Sequence, residues 1–201
     1  MTSPQRCSRP CQLLLTLGIL FITQSAFAFE SPSYEVIEKD GKFEIRRYET
    51  FHVATITVQS EAEAAGDRAF PALAGYISGD NSQDQKISMT TPVYQEVAEG
   101  SQVISFMMPT KWSLDTLPKP SDSGITLTDI PARLIASYRY SGNWKLDRFK
   151  KYEAQLRARL AESSYKTCSG PLWARYNPPF WPTFMRRNEV QFVVSATDCP
   201  D

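Results

Sequence analysis

The chain has 201 residues, with 22 Lys and Arg residues against 22 Asp and Glu residues and a single histidine. This neutral balance, without a basic run, gives no electrostatic footprint for DNA or RNA, so we expect no nucleic-acid partner. Because 42% of the residues are hydrophobic and 12% are aromatic, the composition excludes global disorder and favours a packed core.

The first residues have the pattern of a secretory signal peptide. Two arginines precede an apolar run from Leu13 to Ile22, and Ala26-Phe27-Ala28 is a small-x-small cleavage pattern. The run is shorter than the ~20 residues that span a bilayer. We expect cleavage of residues 1–28 after Ala28, a periplasmic or secreted protein with no stable membrane span, and a single domain over residues 29–201.

The mature chain begins with three predicted strands. Tyr34–Glu38 and Phe43–Arg46 alternate between apolar and polar residues, and the Asp40-Gly41 dipeptide between them predicts a tight hairpin turn. Phe51–Val58 is rich in β-branched residues, which favours a central strand.

A helix is predicted next over Ser60–Tyr76, because apolar residues recur there at helical spacing. Ser60 and Glu63 have the spacing of a capping box at its start. Pro71 lies inside the pattern and is expected to kink or divide the helix.

A strand, a helix and two strands are thus predicted, and the same order then occurs a second time. The first half closes with strands at Ile87–Tyr94 and Val103–Met108, and the second half has a strand at Ala132–Tyr140, a helix at Trp144–Leu160, and strands at Leu172–Tyr176 and Val190–Val194. Matching segments lie about eighty residues apart, a spacing typical of a duplicated half-domain rather than of a solenoid repeat. Two such halves predict an α+β fold with a cleft at their join, where a small-molecule ligand would bind.

Cys168 and Cys199 are the cysteines of the mature chain. If the last two predicted strands pair as an antiparallel hairpin, both cysteines arrive at the same edge of the sheet. An oxidising compartment then favours a disulfide, worth on the order of ~3 kcal/mol. Two free thiols are the alternative.

Two stretches are predicted to be irregular. Residues 112–124 join the halves, and Asn177–Pro182 contains three prolines that cannot donate to a strand ladder. The second stretch is expected to be a rigid loop that carries Phe180 and Trp181.

Seven sequence blocks, in order from about Tyr34 to about Val194, resemble the SOUL haem-binding protein family. The blocks are Tyr34–Val36, Phe43–Tyr48, Lys86–Val93, Phe106–Pro109, Thr116–Pro120, Ala174–Pro179 and Arg187–Val190. The resemblance implies a distorted antiparallel β-barrel, flanked by two helices and built from two related halves. It also implies haem or another tetrapyrrole as a non-covalent ligand.

The resemblance places an iron-ligating histidine at a position where this chain has Arg47. Arg47 could instead pair with a haem propionate, or be a solvated surface residue. His52 is the one imidazole that an iron could take, and a structural histidine at a strand start is the alternative. Five further residues are candidates for an apolar wall, with ordinary core packing as their alternative: Phe70, Leu73, Tyr76, Ile77 and Met89.

Glu189 is the candidate for catalysis. It shares a strand face with Gln191 and Val193, and an inward carboxylate with a perturbed pKa could act as a general base or receive a cation. A structural ion pair with Arg186 or Arg187 is the alternative. The sequence contains no nucleophile elbow, phosphate loop or zinc-protease motif.

These patterns favour an exported, non-enzymatic binder of haem or another tetrapyrrole. Two alternatives stay open at this point. One is a hydrolase-like enzyme that uses Glu189, and the other is a protein-interaction module that uses the loop with Phe180 and Trp181.

Overall fold

A computed structural model describes residues 29–98 and 100–199, so the predicted signal peptide lies outside the described residues. This part of the chain forms ten strands, two α-helices and a 3-10 helix at Thr183–Met185. The elements in chain order are β1 (Tyr34–Asp40), β2 (Phe43–Tyr48), β3 (Phe51–Val58), α1 (Ala65–Ser78), β4 (Val93–Ala98), β5 (Ser101–Met107), β6 (Ile125–Ile130), β7 (Arg133–Tyr140), α2 (Leu146–Ala161), β8 (Lys166–Thr167), β9 (Leu172–Arg175) and β10 (Asn188–Ser195).

All ten strands belong to one curled antiparallel sheet, which confirms the predicted α+β fold with a distorted barrel. The strand order is β1-β2-β7-β10-β9-β4-β5-β3-β6, with β8 beside β10. The predicted duplication is visible in this order, because β3-α1-β4-β5 and β7-α2-β9-β10 have the same topology. The two halves meet where β4 pairs with β9.

The duplication extends one strand further than the sequence pattern indicated. β2 precedes β3 in the chain but pairs with β7 of the other half, and β6 precedes β7 but pairs with β3. Each half therefore gives its leading strand to the sheet of the other. β6 was not predicted, although Ile125–Ile130 alternates in the way that favours a strand.

The helices cover the outer face of the curled sheet and form two separate cores. α1 packs on β3 and β5, and α2 packs on β7 and β10. Leu73 lies in the first core, and Phe149, Leu156 and Leu160 form the predicted buried stripe of α2 in the second. Full burial of such a side chain contributes roughly 1.5–3 kcal/mol, so each helix is fixed mainly by its apolar face.

The start of the first helix differs from the prediction. The helix begins at Ala65 rather than Ser60, and no side chain caps it. The Glu63 carboxylate instead accepts a hydrogen bond from the Leu146 N–H at the start of α2, at 2.8 Å. The expected capping box is therefore wrong, because its acidic residue caps the helix of the other half. The helix runs through Pro71 without being divided.

The predicted strand at Ile87–Tyr94 is wrong over most of its length, since β4 begins only at Val93. Pro92 has no N–H to give to a ladder. The preceding residues bind elsewhere: the Ile87 N–H donates to the Ile77 carbonyl at 2.8 Å, and the Thr90 hydroxyl donates to the Met107 carbonyl at 2.6 Å. This segment therefore follows the end of α1 and the end of β5.

The last strands form as predicted, and they bring the two cysteines together. β9 and β10 pair antiparallel, with Leu172 opposite Gln191. Cys168 and Cys199 form a disulfide that closes a loop with a sequence separation of 31 residues. The paired strands place both cysteines at the same edge, which is the geometry that the prediction required.

Candidate functional site

The two halves meet through a packed group of aromatic side chains on the inner face of the sheet. We call Tyr34, Tyr48, Phe51, Tyr94 and Tyr176 the aromatic cluster; Tyr48, Phe51 and Tyr94 are buried. Ring centroids lie 4.9 Å apart for Tyr34 and Tyr48, and 6.2 Å apart for Phe51 and Tyr94. Over the described residues, the join is thus filled by side chains where the sequence analysis expected an open cleft.

Glu189 lies beside the aromatic cluster with a side chain that is 0% exposed. Arg46 binds its carboxylate through both terminal nitrogens, at 2.7 and 3.1 Å, and Arg187 adds bonds of 2.6 and 2.9 Å. Three further donors are Ser137 at 2.8 Å, Gln191 at 2.8 Å and Tyr176 at 3.1 Å. These contacts favour the alternative interpretation of Glu189, a structural acid that is paired with arginine.

The charge state of Glu189 follows from these contacts. Burial by itself would raise the pKa of the carboxyl, but the hydrogen bonds and charges of Arg46 and Arg187 outweigh burial and lower the pKa to about 2. A general base that works near neutral pH needs a free lone pair and a much higher pKa. The geometry therefore gives Glu189 a structural role, holding two arginines on the inner face.

Sequence reasoning identified Arg187 as a partner of Glu189 but missed Arg46, which lies far away in the chain. Arg46 is 2% exposed and also binds Glu44 at 2.7 Å. The alternation of β2 was the signal that could have indicated an inward Arg46. In this strand Arg46 follows the buried Ile45 and precedes the exposed Arg47. Only the pairing of β2 with β7 brings it to the inner face near β10.

Of the seven predicted ligand-binding residues, four lie on the outer flank of the first half. Phe70 is 44% exposed and packs edge-on against Phe106, with centroids 5.4 Å apart. Ile77 and Met89 are partly buried against the same core. The backbone of His52 lies close to that of Met89, because the Met108 N–H donates to the His52 carbonyl and the Thr90 hydroxyl donates to the Met107 carbonyl. We call Phe70, Ile77, Met89 and His52 the α1 flank.

The other three predicted binding residues are placed differently. Leu73 and Tyr76 are 0% and 1% exposed, and the Tyr76 hydroxyl donates to the Pro118 carbonyl at 3.0 Å. They are core residues beneath the flank. Arg47 lies on β2 of the other half, where it pairs with Glu35 at 2.8 Å on the surface. The structure therefore does not bring Arg47 together with the α1 flank.

His52 is held by an ion-pairing neighbour. Its Nδ1 contacts the Asp129 carboxylate on the adjacent strand β6, and the two residues face each other in the strand register. The imidazole is 23% exposed. A carboxylate at one ring nitrogen fixes the tautomer and the orientation of the ring, so this pair accounts for His52 in structural terms.

Two cavities lie in the second half, away from all predicted ligand residues. The larger, of about 390 Å³, lies between the β1–β2 hairpin, the end of β7 and the middle of α2, and the smaller, of about 250 Å³, lies at the end of α2. Lys39, Lys42, Arg139, Tyr140 and Tyr152 line the larger one. Both are open to solvent and lined in part by charged side chains, which does not suit a large apolar ligand.

Residues 29–98 and 100–199 offer neither a metal-binding group of side chains nor a membrane-spanning helix. No group of three or more His, Cys, Asp or Glu side chains in these ranges could hold a metal ion. Neither α1 nor α2 is long and apolar enough to cross a membrane.

The loop after β9 exposes large apolar side chains. Phe180 is 81% exposed, Phe184 76% and Trp181 40%. Arg186 donates to the carbonyl oxygens of Pro179 and Trp181, which ties the loop into a defined shape. The loop is thus available for contacts outside the chain, as the interaction alternative requires.

Comparison with known proteins identifies relatives by sequence. The profile of the family described as SOUL heme-binding protein matches residues 29–193. Heme-binding protein 2 of Mus musculus is 32% identical over 114 residues, which are 51% of this chain and 55% of the mouse protein. Heme-binding protein 2 of Homo sapiens is 31% identical over 117 residues, 52% of this chain and 57% of the human protein. The chain spans about half the length of these curated relatives.

Comparison with solved structures identifies relatives by fold. The C-terminal domain of EcmrR superposes with a TM-score of 0.60 at 12% sequence identity, covering 81% of this chain and 98% of that domain. A hydrolase from Listeria innocua superposes with a TM-score of 0.54 at 10% identity, covering 79% of this chain and 94% of that one. At such low identity the likeness shows a shared fold alone.

Proposed function

The chain belongs to the SOUL heme-binding protein family, and on that basis we propose that it is an exported, non-enzymatic protein that binds haem or another tetrapyrrole non-covalently. The family match over residues 29–193 is the observation that carries the proposal. Two relatives named Heme-binding protein 2 support it. The occupied lone pairs of Glu189 support the non-enzymatic part.

We place the tetrapyrrole on the α1 flank. Phe70 offers an exposed ring that is backed by Phe106, and Ile77 with Met89 extends the apolar surface. The aromatic cluster offers no comparable surface, because its largest rings are buried. Lys86 is exposed next to this flank and can reach a propionate, the role that the sequence analysis gave to Arg47.

The expected affinity follows from the apolar area of a porphyrin. Covering ~400 Å² of ring surface contributes on the order of ~10 kcal/mol gross. Loss of translational and rotational freedom and side-chain ordering consume much of this. Apolar contact alone therefore supports binding in the micromolar range, without an iron ligand from the protein.

The test is a titration of the purified protein with haemin and with metal-free protoporphyrin IX, followed by the Soret absorption. We expect both to bind with affinities within about tenfold of each other. Phe70→Ala should weaken both by about tenfold, as expected for loss of one well-packed aromatic ring. Phe184→Ala, a matched loss of an exposed aromatic side chain, should change neither. A Soret spectrum that does not differ from that of free haemin would remove the tetrapyrrole assignment.

His52→Ala separates contact-driven binding from iron ligation. Because His52 is paired with Asp129, we expect the haemin spectrum and affinity of this variant to match those of the natural chain. A Soret band that is lost only with haemin, and only in this variant, would make His52 the axial ligand instead.

Export rests on the pattern of residues 1–28. Amino-terminal sequencing of protein recovered outside the cytoplasm should begin at Phe29. Recovery of a chain that still begins at Met1 would contradict this part of the proposal.

A further inference from the structure

The larger cavity of the second half carries positive charge that its own lining does not neutralise. Its volume of about 390 Å³ lies within the range of small-molecule sites. Three cations and one carboxylate line it: Lys39, Lys42, Arg139 and Glu44. The three cations are exposed, and a methyl group at Gly41 would meet no atom within 4 Å, so the cavity is accessible from solvent.

Two of these cations face each other on adjacent strands. The register of β2 and β7 pairs Phe43 with Tyr138, and one step further along the antiparallel pair Lys42 lies opposite Arg139. The Arg139 N–H donates to the Lys42 carbonyl at 2.9 Å, so the two backbones are in contact. Among the residues that the structure describes, neither side chain forms an ion pair. Like charges directly opposite each other destabilise a strand pair, so their presence calls for an explanation.

The nearest carboxylates do not neutralise this pair, because other cations occupy them. Lys39 lies 2.8 Å from one Glu44 oxygen, and the buried Arg46 donates to the other at 2.7 Å. Burial alone would raise the pKa of Glu44, but the hydrogen bonds and charges of these two cations lower it. Glu189, which lies opposite Arg139 on β10, is likewise occupied by its own arginine partners. The positive charge of the cavity is therefore available to a ligand.

The rest of the lining adds hydroxyl groups that lack partners. Within residues 29–98 and 100–199, the hydroxyls of Tyr140, Ser141 and Tyr152 form no hydrogen bond. The rings of Tyr140 and Tyr152 stack with centroids 4.3 Å apart, which fixes this wall of the cavity. Arg148 donates to the Ser141 carbonyl at 3.2 Å, so a further cation lies beside the lining. The cavity thus combines positive charge with free donors, while its one carboxylate is occupied.

We propose that this cavity binds a phosphate monoester group, carried by a small soluble molecule or by a lipid headgroup. Such a group has close to two negative charges at neutral pH and several acceptor oxygens, which match two unpaired cations. Arg139 binds two phosphate oxygens with its planar fork, Lys42 binds a third as a point charge, and the Ser141 hydroxyl donates to the same group. The site lies in the second half, away from the α1 flank, and does not rest on the proposed tetrapyrrole function.

The test compares phenyl phosphate with phenyl sulfate, two probes of nearly the same shape. At about pH 7.5 the first carries close to two negative charges and the second carries one. Amide chemical-shift changes of Gly41 and Ser141, followed by NMR on the purified protein, report binding at the cavity. We expect phenyl phosphate to bind about tenfold more tightly, since it pairs with both cations. Equal affinity for the two probes would overturn the assignment to a phosphate monoester.

Variants locate the site. Arg139→Gln and Lys42→Gln should each weaken phenyl phosphate binding by about tenfold. Arg139→Lys keeps the charge and loses the planar fork, so it should give a smaller loss. Both glutamine variants remove a repulsion between facing side chains, so neither should lower the midpoint of thermal unfolding. A loss of binding that is accompanied by a loss of stability would overturn the proposal, because these side chains would then serve to hold the hairpin.

Lys150→Gln is the matched control, since Lys150 is exposed on α2 and does not line the cavity. It should leave the affinity for phenyl phosphate unchanged. An equal loss for Lys150→Gln and Lys42→Gln would overturn the site, because binding would then reflect a general attraction to positive surface. The absence of shift changes at Gly41 and Ser141 with millimolar phenyl phosphate would overturn it as well.

Phosphatidylcholine vesicles with and without phosphatidic acid distinguish the two sources of the phosphate. Sedimentation with phosphatidic acid vesicles that Arg139→Gln weakens assigns the site to a lipid headgroup. Binding of phenyl phosphate without such sedimentation assigns it to a soluble ester.

Haemin carries two propionates and is therefore the competitor that separates this site from the tetrapyrrole site. It should leave the affinity for phenyl phosphate unchanged. Displacement of phenyl phosphate by haemin would overturn a separate site and assign the cavity to the propionates. If haemin does not bind at all, the phenyl phosphate titration is unaffected, so failure of one proposal is distinguishable from failure of the other.

Discussion

At the scale of single residues, Glu189 shows what a sequence can and cannot reveal about a charged side chain. Strand alternation correctly predicts that it shares a face with Gln191, and the sequence offers Arg187 as a neighbour. Whether such an acid is reactive depends on how many donors surround it. That number is set by Arg46, Ser137 and Tyr176, which reach it only through tertiary pairing.

Replacement of Glu189 tests its structural role. Glu189→Gln removes the counter-charge of Arg187 and the bidentate partner of the buried Arg46, which then keeps only its contact with Glu44. We therefore expect a loss of about 3–5 kcal/mol in the free energy of unfolding at pH 7, of the order found when one partner of a buried pair is removed. Urea denaturation measures this loss. Glu35→Gln, which breaks the exposed pair with Arg47, should cost about 0.5 kcal/mol or less.

The pH dependence of stability gives an independent check of the same carboxylate. Its pKa in the folded protein is about 2, below the ordinary value of 4.5, so the folded state binds the proton more weakly than the unfolded state. The contribution of Glu189 is complete above about pH 4.5 and is lost as the pH falls toward 2. The stability gap between the natural chain and Glu189→Gln should therefore narrow across this range. A gap that is constant from pH 7 to pH 2 would contradict the assigned pKa.

At the scale of elements, the strongly patterned segments were predicted, and the misplaced start of α1 has a tertiary cause. Phe51–Val58 and the second helix are recovered almost to the residue, because their apolar periodicity is also their packing pattern. The start of α1 is misplaced because Ser60 and Glu63 have the spacing of a cap, while Glu63 binds a different helix. No local pattern could indicate that a capping group would act on the helix of the other half.

Glu63 thereby links the two halves, and its replacement should be felt in α2. Glu63→Ala removes the acceptor for the Leu146 N–H and a negative charge from the positive end of the helix dipole. We expect a loss of about 1 kcal/mol in the free energy of unfolding, the usual cost of removing a cap. Thermal unfolding followed by circular dichroism measures it. Glu61→Ala, two residues away and exposed, is the control, and an equal effect of both variants would contradict the capping role.

The candidate site was predictable only in part, because helical periodicity does not show which residues of a face are exposed. Periodicity correctly assigns Phe70, Leu73, Tyr76 and Ile77 to a helix face, but it cannot separate the buried Leu73 from the exposed Phe70. That distinction depends on how far the sheet extends beneath the helix.

At the scale of the whole molecule, the disulfide closes the carboxyl-terminal strand pair. The bridge between Cys168 and Cys199 spans a sequence separation of 31 residues, for which the chain-entropy relation gives about 3–4 kcal/mol. The double variant Cys168→Ser with Cys199→Ser should lose about this much in the free energy of unfolding, measured by urea denaturation of the mature chain. Equal stability of the reduced and oxidised natural protein would show that the bridge adds nothing.

The exchange of leading strands has a consequence for chain continuity. β2 pairs with β7 of the second half, and β6 pairs with β3 of the first half. Neither half alone therefore contains all the strands that its sheet needs. The covalent link at 121–124 is exposed and could be severed without breaking a ladder. Two peptides divided there should each aggregate alone yet co-assemble into one particle when refolded as a mixture, as judged by size-exclusion chromatography. On the same grounds, an ancestral protein with one copy of the half-domain would have been an obligate homodimer. Duplication and fusion of its gene would then have given the present single chain.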